Sequence, residues 1–257
     1  MTTRLLGRMP RGYAPTFHLS SLLATKPLPT PSASVDHLSS MPQFPNHYNM
    51  YKNDVLGCCV VASMYHSNQV FDWNASGKAI IDPDADIISV YEAISGYDPK
   101  NPATDRGCVT QDAMEYWMKT GIPTGQAKNP LNKIIGFVEV NPRNLQMVKI
   151  AIEEFGLVSI GFSVPANVLP ENADPPALWQ VEPHQADRGG HEVVVAAYNQ
   201  KIFGLISWGQ YYRMTNQFFQ KYTDECYALI SPDWITATGK TPCGYTLDQL
   251  KALMHQL

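Results

Sequence analysis

Two adjacent cysteines, Cys58 and Cys59, stand in the segment NDVLGCCVVAS (residues 53–63), where turn-forming residues give way to a helical pattern. A thiol at the start of a helix lies near unpaired backbone N–H groups and the positive end of the helix dipole, and both favour the thiolate. Since the thiolate is the nucleophilic form, Cys59 is a candidate nucleophile. Cys58 is a candidate for lining the substrate cleft around it. The alternative for each thiol is that it fills apolar space, and we favour that interpretation for Cys58.

A cysteine nucleophile also needs a base and a hydrogen-bond donor for the oxyanion of the tetrahedral intermediate. His191 is the candidate base, because it opens an apolar strand behind RGG, an unusual place for a core histidine. Asn53, six residues before Cys59, carries an amide that can donate a hydrogen bond. His184 belongs to a long segment without a periodic pattern (residues 165–190). Loops of that length are usually functional, so His184 is a second candidate for lining the cleft.

The elements that must position these residues differ between the two halves of the chain. In the first half the apolar spacing predicts helices, at Cys59 to about Trp73, at about 84–94, and from Thr110, as N-cap, to Gly121. In the second half the pattern predicts strands at 134–140, 157–164, 191–199, 202–208 and 226–231. Further helices are predicted at 143–155 behind an Asn141–Pro142 cap, at 215–222, and at about 246–257 behind a T-x-x-Q capping box. Helices followed by strands indicate an α+β chain of two lobes with a cleft between them.

Residues 1–50 differ from the rest of the chain in composition and charge. They are rich in Pro, Ser, Thr and Met, which favours extended, polyproline-like backbone over helix. Residues 1–35 carry four basic side chains and no acidic one, whereas the remaining residues carry 15 basic and 23 acidic side chains, a net charge of −8. Such a basic arm can dock on an acidic partner, on nucleic acid or on its own acidic body, where it would inhibit a site in the cleft. We expect docking on protein subunits of an assembly, and we do not expect nucleic acid.

Composition excludes several classes of protein. No run of the sequence approaches the roughly 18 apolar residues of a membrane span, and the first 25 residues lack the apolar core of a secretory signal. The five cysteines are odd in number, include a vicinal pair and show no finger-like spacing. Neither a disulfide framework nor a zinc site is predicted from them. We therefore expect a protein that is cytoplasmic when synthesised, has no membrane segment, and uses no metal or cofactor.

Five segments of the chain, in order, resemble papain-like cysteine peptidases. These segments are NDVLGCCVVAS, RGCVTQDAMEYWMKTGIP, FVEVNPRNLQMVKIAIEEFGLVSIGFSVP, GGHEVVVAAYN and ISWGQYY, and they span about residues 53–231. The separation of 132 residues between Cys59 and His191 falls in the range of this family. The resemblance implies a papain-like two-lobed domain over residues 51–257. Its parts would be a helical lobe at about 51–130, an antiparallel β-rich lobe at about 131–235 and a C-terminal helix at about 246–257.

The same resemblance implies a cysteine hydrolase that acts on peptide or amide bonds in a peptide or protein substrate. Cys59 takes the position of the nucleophile, and His191 that of the base, which then acts as acid. Asn53 and the backbone N–H of Cys59 take the positions of the oxyanion donors. Trp208, in ISWGQYY, is expected to pack over the strand of His191 at the edge of the cleft.

One departure from the family pattern bears on activity. The orienting Asn of the family falls on Ile206, which cannot accept a hydrogen bond from an imidazole. The orienter fixes the tautomer of the base, and its loss in the Ser–His–Asp case costs about 10⁴ in rate. Ser207 or a backbone carbonyl is the candidate substitute. Glu192 is not, because alternation along a strand turns it away from His191.

NDVLGCC also resembles a motif, N-x4-G-D-C-x-x-A, in papain-like proteins that bacteriophages and bacteria encode, with Cys58 at the Asp. The LPTP of the arm and the stretch SWGQYYRMTNQFFQKYTDECYAL are similar to those proteins as well. This resemblance implies an alternative function: a non-catalytic, papain-fold structural component of a virus particle, anchored by residues 1–50. An acyl transferase of the transglutaminase kind is a third alternative.

Overall fold

The structure, a computed structural model, describes residues 4–14, 17–25, 27–78, 80–125 and 131–256. The α-helices of this part of the chain are α1 (Leu19–Leu22), α2 (Cys59–Ser76), α3 (Asp84–Ser95), α4 (Thr110–Lys119), α5 (Leu145–Phe155), α6 (Asn216–Tyr222), α7 (Pro232–Thr238) and α8 (Leu247–Gln256). The strands are β1 (Arg8–Met9), β2 (Val35–Asp36), β3 (Cys108–Val109), β4 (Ile122–Pro123), β5 (Leu131–Asn132), β6 (Gly136–Glu139), β7 (Val158–Pro165), β8 (Leu178–Trp179), β9 (Asp187–Tyr198), β10 (Ile202–Ser207), β11 (Gln210–Thr215) and β12 (Thr223–Ile230). The predicted α+β class is confirmed. None of these helices is long and apolar enough to cross a membrane.

Among the described strands, eight form one sheet, whose path is β6-β12-β7-β9-β10-β11-β8 with β2 paired to β9 off that path. The paired strands are antiparallel except for β8, which runs parallel to β11. The β7 and β9 strands, in the middle of the sheet, are apolar and buried over most of their length. The sheet therefore holds the residues of β9, His191 among them, in a fully packed environment.

Helix α2 is the central helix of the fold, and it packs against β9 and α7. It is buried continuously from Cys59 to Asp72, so apolar side chains occur on all its sides rather than on one face. Polar side chains of the helix bond both within it and outside it: the Ser67 hydroxyl donates to the Ser63 carbonyl at 2.9 Å, and the Gln69 amide donates to the Tyr48 carbonyl at 3.1 Å. Gly77, at φ 67°, ends the helix. The first turn of α2 is thus fixed where the helices meet the sheet.

Two of the predicted helix starts are wrong. Val109, not Thr110, is in the N-cap position of α4, because the Thr110 hydroxyl donates instead to the buried carboxylate of Glu192 at 2.9 Å. Helix α5 begins later than predicted, because the side chain of Asn144 accepts the hydrogen bond from the Met147 N–H and makes the cap. A cap at Asn141–Pro142 is therefore not formed.

The capping box of the last helix is confirmed. The backbone N–H of Thr246 donates to the Gln249 side chain at 3.0 Å, and the N–H of Gln249 donates to the Thr246 hydroxyl at 3.2 Å. The predicted strands are present with shifted bounds; the largest shift is in β9, which begins at Asp187 rather than at His191. The long segment 165–190 contains β8, and β11 has no counterpart in the sequence predictions.

The described part of the N-terminal arm lies on the chain's own body. It is not wholly extended, because Leu19, Leu22 and Leu23 are buried in the core and draw the chain into α1 and a following 3₁₀ turn. Strand β1 pairs with β3, and β2 pairs with β9. The arginines of the arm pair with acids of the body: Arg4 with Asp174, Arg8 with Asp224 and Glu225, and Arg11 with Glu139. A contact of the arm with a neighbouring subunit stays a prediction.

Two glycines that end helices offer a matched test of packing. Gly156 ends α5 at φ 85°, and a Cβ there would lie 2.8 Å from the Trp234 ring, whereas Gly77 has φ 67° and nothing within 4 Å of a Cβ. Gly77→Ala should cost about 1–2 kcal/mol of unfolding free energy from backbone strain alone. Gly156→Ala should cost about 1–3 kcal/mol more, because it also overpacks the core. Urea unfolding of both variants measures the difference, and equal losses would contradict the contact with Trp234.

Candidate active site

Cys59 is the first residue of α2, and Cys58 occupies the N-cap position without a side-chain cap bond. Both thiols are buried, Cys59 to 1% exposure. The thiol of Cys58 donates to the Tyr51 carbonyl at 3.3 Å, which turns it into the loop that precedes the helix. None of the five cysteines, all of which lie in the described ranges, forms a disulfide bond. This placement agrees with the space-filling interpretation of Cys58.

His191 lies on β9, with its ring enclosed between strands and aromatic side chains. Ring atom Nε2 is 2.9 Å from the Ser207 hydroxyl, the candidate substitute for an orienting amide. Trp208 stacks on the imidazole, with ring centroids 4.3 Å apart and planes at 15°, and Phe162 meets it edge-on. Among the described residues, Nδ1 has no hydrogen-bond partner. When the ring proton is on Nε2 and is donated to Ser207, Nδ1 carries a free lone pair.

The sulfur of Cys59 contacts the strand of His191 and the arm together. The backbone N–H groups of Glu192, the residue after His191, and of Gly7 in the arm both lie near the sulfur and act to lower the pKa of the thiol. The structure therefore places the candidate nucleophile beside the backbone that carries the candidate base. No hydrogen bond joins the thiol to Nδ1 of the imidazole in the part of the chain that the structure describes.

Asn53 is buried, and its side-chain amide is occupied by main-chain carbonyls. Nδ2 donates to the Leu5 carbonyl and to the Leu56 carbonyl, each at 3.1 Å. The Leu5 N–H donates back to the Asn53 carbonyl at 2.9 Å. The indole N–H of Trp208 lies 3.5 Å from the same Leu5 oxygen. An arm carbonyl thus rests on the amide that the sequence analysis assigns to the oxyanion.

The arm passes so close to the loop before α2 that its main chain tolerates no side chain at residue 7. A Cβ on Gly7 would lie 1.7 Å from the Gly57 carbonyl oxygen. On the other side, the Gly7 carbonyl accepts the N–H of Cys108 at 3.0 Å, and a Cβ on Gly107 would lie 1.8 Å from it. Glycines on the arm and on both walls allow main chain to pack on main chain. The arm therefore closes the site.

The electrostatics of the closed site favour neutral forms. Burial raises the pKa of the Cys59 thiol to about 12, against the lowering effect of the nearby backbone N–H groups of Glu192 and Gly7 and of the Arg8 charge. Burial also lowers the pKa of His191 to about 3, and the positive charge of Arg8 lowers it further. The thiolate that a helix N-terminus favours is thus suppressed at Cys59, because both groups are buried away from water. A thiol and a neutral imidazole are present near pH 7.

No protein-family profile and no curated protein matches the sequence. Solved structures match it at low identity. Xylellain, a cysteine protease from Xylella fastidiosa, superposes with a TM-score of 0.62 and 14% identity over 90% of this chain and 96% of that one. ProCathepsin B S9 from Trypanosoma congolense gives a TM-score of 0.59 and 13% identity over 89% and 87% of the two chains. Procathepsin L 3 of Tenebrio molitor gives a TM-score of 0.56 and 14% identity over 89% of this chain and 76% of that one.

The fold is papain-like. At these identities the likeness establishes the architecture that the five segments predict, and the roles of individual side chains stay proposals. Within this papain-like fold, Cys59 and Asn53 lie against residues 5–7 of the arm, and Trp208, which stacks on His191, reaches the Leu5 carbonyl. Ser207 and Trp208 hold the ring of His191.

The other residues singled out from the sequence lie outside this cluster. His184 is exposed, on the loop between β8 and β9. Glu192 faces away from the His191 ring, as alternation predicts, and its carboxylate accepts hydrogen bonds from Thr110 at 2.9 Å and Ser159 at 2.6 Å. Its pKa is raised to about 8 by burial and by the nearby charge of Glu225. No cluster of three or more His, Cys, Asp or Glu side chains within the described ranges could hold a metal ion.

Sequence reasoning misses the arm residues that fill the site. Leu5, Gly7 and Arg8 have no local pattern that marks them, since their partners lie about 50 to 220 positions away along the chain. The available signal is weak: a glycine followed by an arginine in a segment of uniform positive charge, opposite a body of net charge −8.

The closed papain-like site predicts an order of thiol reactivity. In the native full-length chain, iodoacetamide at pH 7 should label the half-buried Cys243 before Cys59, because Cys59 is buried and its pKa is raised. Mass spectrometry after a limiting dose measures the order. Labelling of the protein in denaturant, where the thiols should react alike, is the control. Faster labelling of Cys59 in the native state would contradict a closed cleft.

His191 also predicts how stability depends on pH. Its pKa is about 3 in the folded chain and about 6.5 when unfolded, so the stabilisation is present above pH 6.5 and is lost as the pH falls toward 3. The loss of unfolding free energy between pH 7 and pH 5 should be smaller in His191→Asn than in wild type, by about 1–2 kcal/mol. The exposed His184→Asn is the matched control and should behave like wild type. Parallel pH profiles for all three proteins would contradict burial of a neutral ring.

Proposed function

We propose that the chain is a papain-fold cysteine hydrolase of peptide or amide bonds, held in a closed state by its own arm. One observation carries the proposal: an extended main chain, residues 5–9, lies across Cys59, Asn53 and the strand of His191, with hydrogen bonds of its main chain to Asn53 and to Cys108. A cleft that binds a polypeptide main chain in this way can bind that of a substrate. Xylellain and the cathepsins are similar in fold and are named as proteases or their pro-forms.

In the open state, each group has a role that its contacts support. Return of water to the cleft removes the burial that suppresses charge on Cys59 and His191. The Cys59 proton then passes to Nδ1 of His191, which has no partner among the described residues, and the sulfur attacks the carbonyl carbon. The Asn53 amide and the Cys59 N–H stabilise the oxyanion. His191 then protonates the leaving amine, and water hydrolyses the thioester.

Ser207 takes the part of the missing orienting Asn in this proposal. Its hydroxyl is placed 2.9 Å from Nε2, so it can accept the Nε2 proton and leave Nδ1 as the base. Trp208 limits rotation of the ring by stacking on it. A hydroxyl can both donate and accept, so it constrains the tautomer less strictly than an amide oxygen does. We therefore expect a slower enzyme than one with an Asn at this position.

The second candidate is a non-catalytic structural component of a bacteriophage particle whose arm docks on a neighbouring subunit. The neutral state of Cys59 and His191, and the apolar Ile206, favour this candidate. The ion pairs that Arg4 and Arg11 form with exposed or partly exposed acids could then be exchanged for pairs with another subunit. In that case the cleft serves as a docking groove.

The Gly7→Ala variant, which adds one methyl group to the arm, distinguishes the two candidate functions. Gly7→Ala should displace the arm, because its Cβ would overlap the Gly57 carbonyl, whereas Gly12→Ala has nothing within 4 Å of the added Cβ and is the matched control. For a hydrolase, Gly7→Ala should raise Cys59 labelling by iodoacetamide at least about tenfold. It should also give turnover on a fluorogenic peptide panel that is abolished in Gly7→Ala/Cys59→Ser.

Other outcomes of that experiment are equally informative. Labelling that rises without any turnover would favour the structural component, and light scattering of wild type and Gly7→Ala would then test for assembly. Labelling that is the same in Gly7→Ala and Gly12→Ala would contradict closure of the cleft by the arm.

A further inference from the structure

The side chain of Arg8 fills a buried acidic pocket beside the candidate nucleophile. The arginine side chain is only 3% exposed, and its guanidinium pairs with Glu225 and, at 2.8 Å, with Asp224. The side chain of Glu192, a third acid, also lies near the guanidinium. The backbone N–H of the residue before Arg8 in the chain, Gly7, lies near the Cys59 sulfur. The pocket therefore lies one residue along a bound main chain from the reacting atom.

Glycines in the walls make the room for this long side chain. A Cβ on Gly161 of β7 would lie 2.6 Å from the Cδ atom of Arg8, and one on Gly190 of β9 would lie 2.3 Å from the Arg8 carbonyl oxygen. Any other residue at either place would collide with the occupant. The walls are thus shaped for a main chain that carries a side chain of the length of arginine.

The body of the protein holds the pocket's two buried acids in place without help from the arm. The Tyr227 hydroxyl donates to Glu225 at 3.0 Å, and Thr110 and Ser159 donate to Glu192. Both carboxylates are 2% exposed. Buried carboxylates that face each other need a cation or a proton, and burial raises the pKa of both. Body residues thus hold both carboxylates by hydrogen bonds of their own, and the two acids together favour a positive occupant.

Planar geometry favours arginine over lysine as that occupant. The two terminal nitrogens of Arg8 bind two different carboxylates, Asp224 and Glu225, which a fork of fixed N–H donors can do at once. A lysine ammonium is a compact, more strongly hydrated charge, and it costs more to desolvate in a pocket of this depth. A neutral side chain of the same length would leave the buried acids unpaired.

We propose that this pocket, made by Glu192, Asp224, Glu225 and Gly161, is the specificity pocket of the site and selects an arginine side chain in the peptide that binds there. Arg8 of the arm occupies it in the closed state. The role in substrate choice rests on the proposed hydrolase function, whereas the binding of an arginine side chain does not.

The test uses the full-length Arg8→Ala chain that also carries Gly7→Ala, so that the arm's main chain is displaced and the pocket has lost its occupant; every Arg8→Ala variant below includes Gly7→Ala. The probes are two acetylated, amidated tripeptides that match arm residues 7–9, Gly-Arg-Met and Gly-citrulline-Met, which differ in charge but hardly in shape. Calorimetry and thermal shift should show that the arginine peptide binds at least about tenfold more tightly, as loss of a charge-assisted pair implies. Wild type, with its pocket filled, should bind neither peptide measurably.

A second variant and a second measurement keep the result decisive. In Arg8→Ala/Glu225→Gln the preference for arginine should fall toward unity, because one partner of the fork is neutral. If Arg8→Ala does not fold alone, its refolding yield with each peptide gives the same comparison. Equal effects of the arginine and citrulline peptides, or no effect of either, would overturn the proposal.

Turnover separates this proposal from the proposed function. A peptide panel on Arg8→Ala that varies the residue in the pocket should give the fastest cleavage with arginine. Tight binding of the arginine peptide without cleavage of any peptide would support the arginine pocket and count against the proposed hydrolase function. Equal cleavage rates for peptides with arginine, citrulline or leucine at this position would support the hydrolase function and overturn the specificity pocket.

Discussion

Main chain packed on main chain at Gly7 is the contact on which the rest of the site depends. The arm reaches the Cys59 sulfur only because neither Gly7 nor Gly57 has a side chain, and a single Cβ at Gly7 would overlap the Gly57 carbonyl. From this approach follow the hydrogen bonds of Leu5 with Asn53, the pairing of β1 with β3 and the entry of Arg8 between β7 and β9. Each of these contacts is local, yet together they remove water from the whole cleft.

The exclusion of water decides the charge state of the site. A helix N-terminus stabilises a thiolate by a modest amount, whereas full burial opposes any charge by several pKa units. At Cys59 burial is the larger effect, and the same burial keeps His191 neutral. The fold therefore keeps Cys59 as a thiol and His191 as a neutral imidazole. Neither form reacts, and neither needs an opposite charge beside it. The one charge that does enter, Arg8, is matched by acids rather than by solvent.

Much of the architecture could be predicted because its signals are local. Apolar periodicity marks α2, glycines mark the ends of α3 and α5, and Thr246 with Gln249 marks the start of α8. The placing of His191 on a central strand follows from the apolar run behind it. What could not be predicted depends on contacts between distant parts of the chain. In the sequence, Thr110 has the pattern of an N-cap, but in the structure its hydroxyl donates to the carboxylate of Glu192. In the sequence, Arg8 is one of several positive charges of the arm. Only the structure shows that it pairs with Asp224 and Glu225.

The short connection between the two anchored parts of the arm has a consequence of its own. Strand β1 ends at Met9 and α1 begins at Leu19, whose side chain is buried in the core, so residues 10–18 tether the cleft-binding segment to the body. A ligand on so short a tether acts at an effective concentration of about millimolar or more. A free peptide must outcompete it at that concentration, even if the two bind equally well. A cut anywhere in residues 10–18 would convert the arm from an intramolecular ligand into one that dilutes away, and this change would be irreversible.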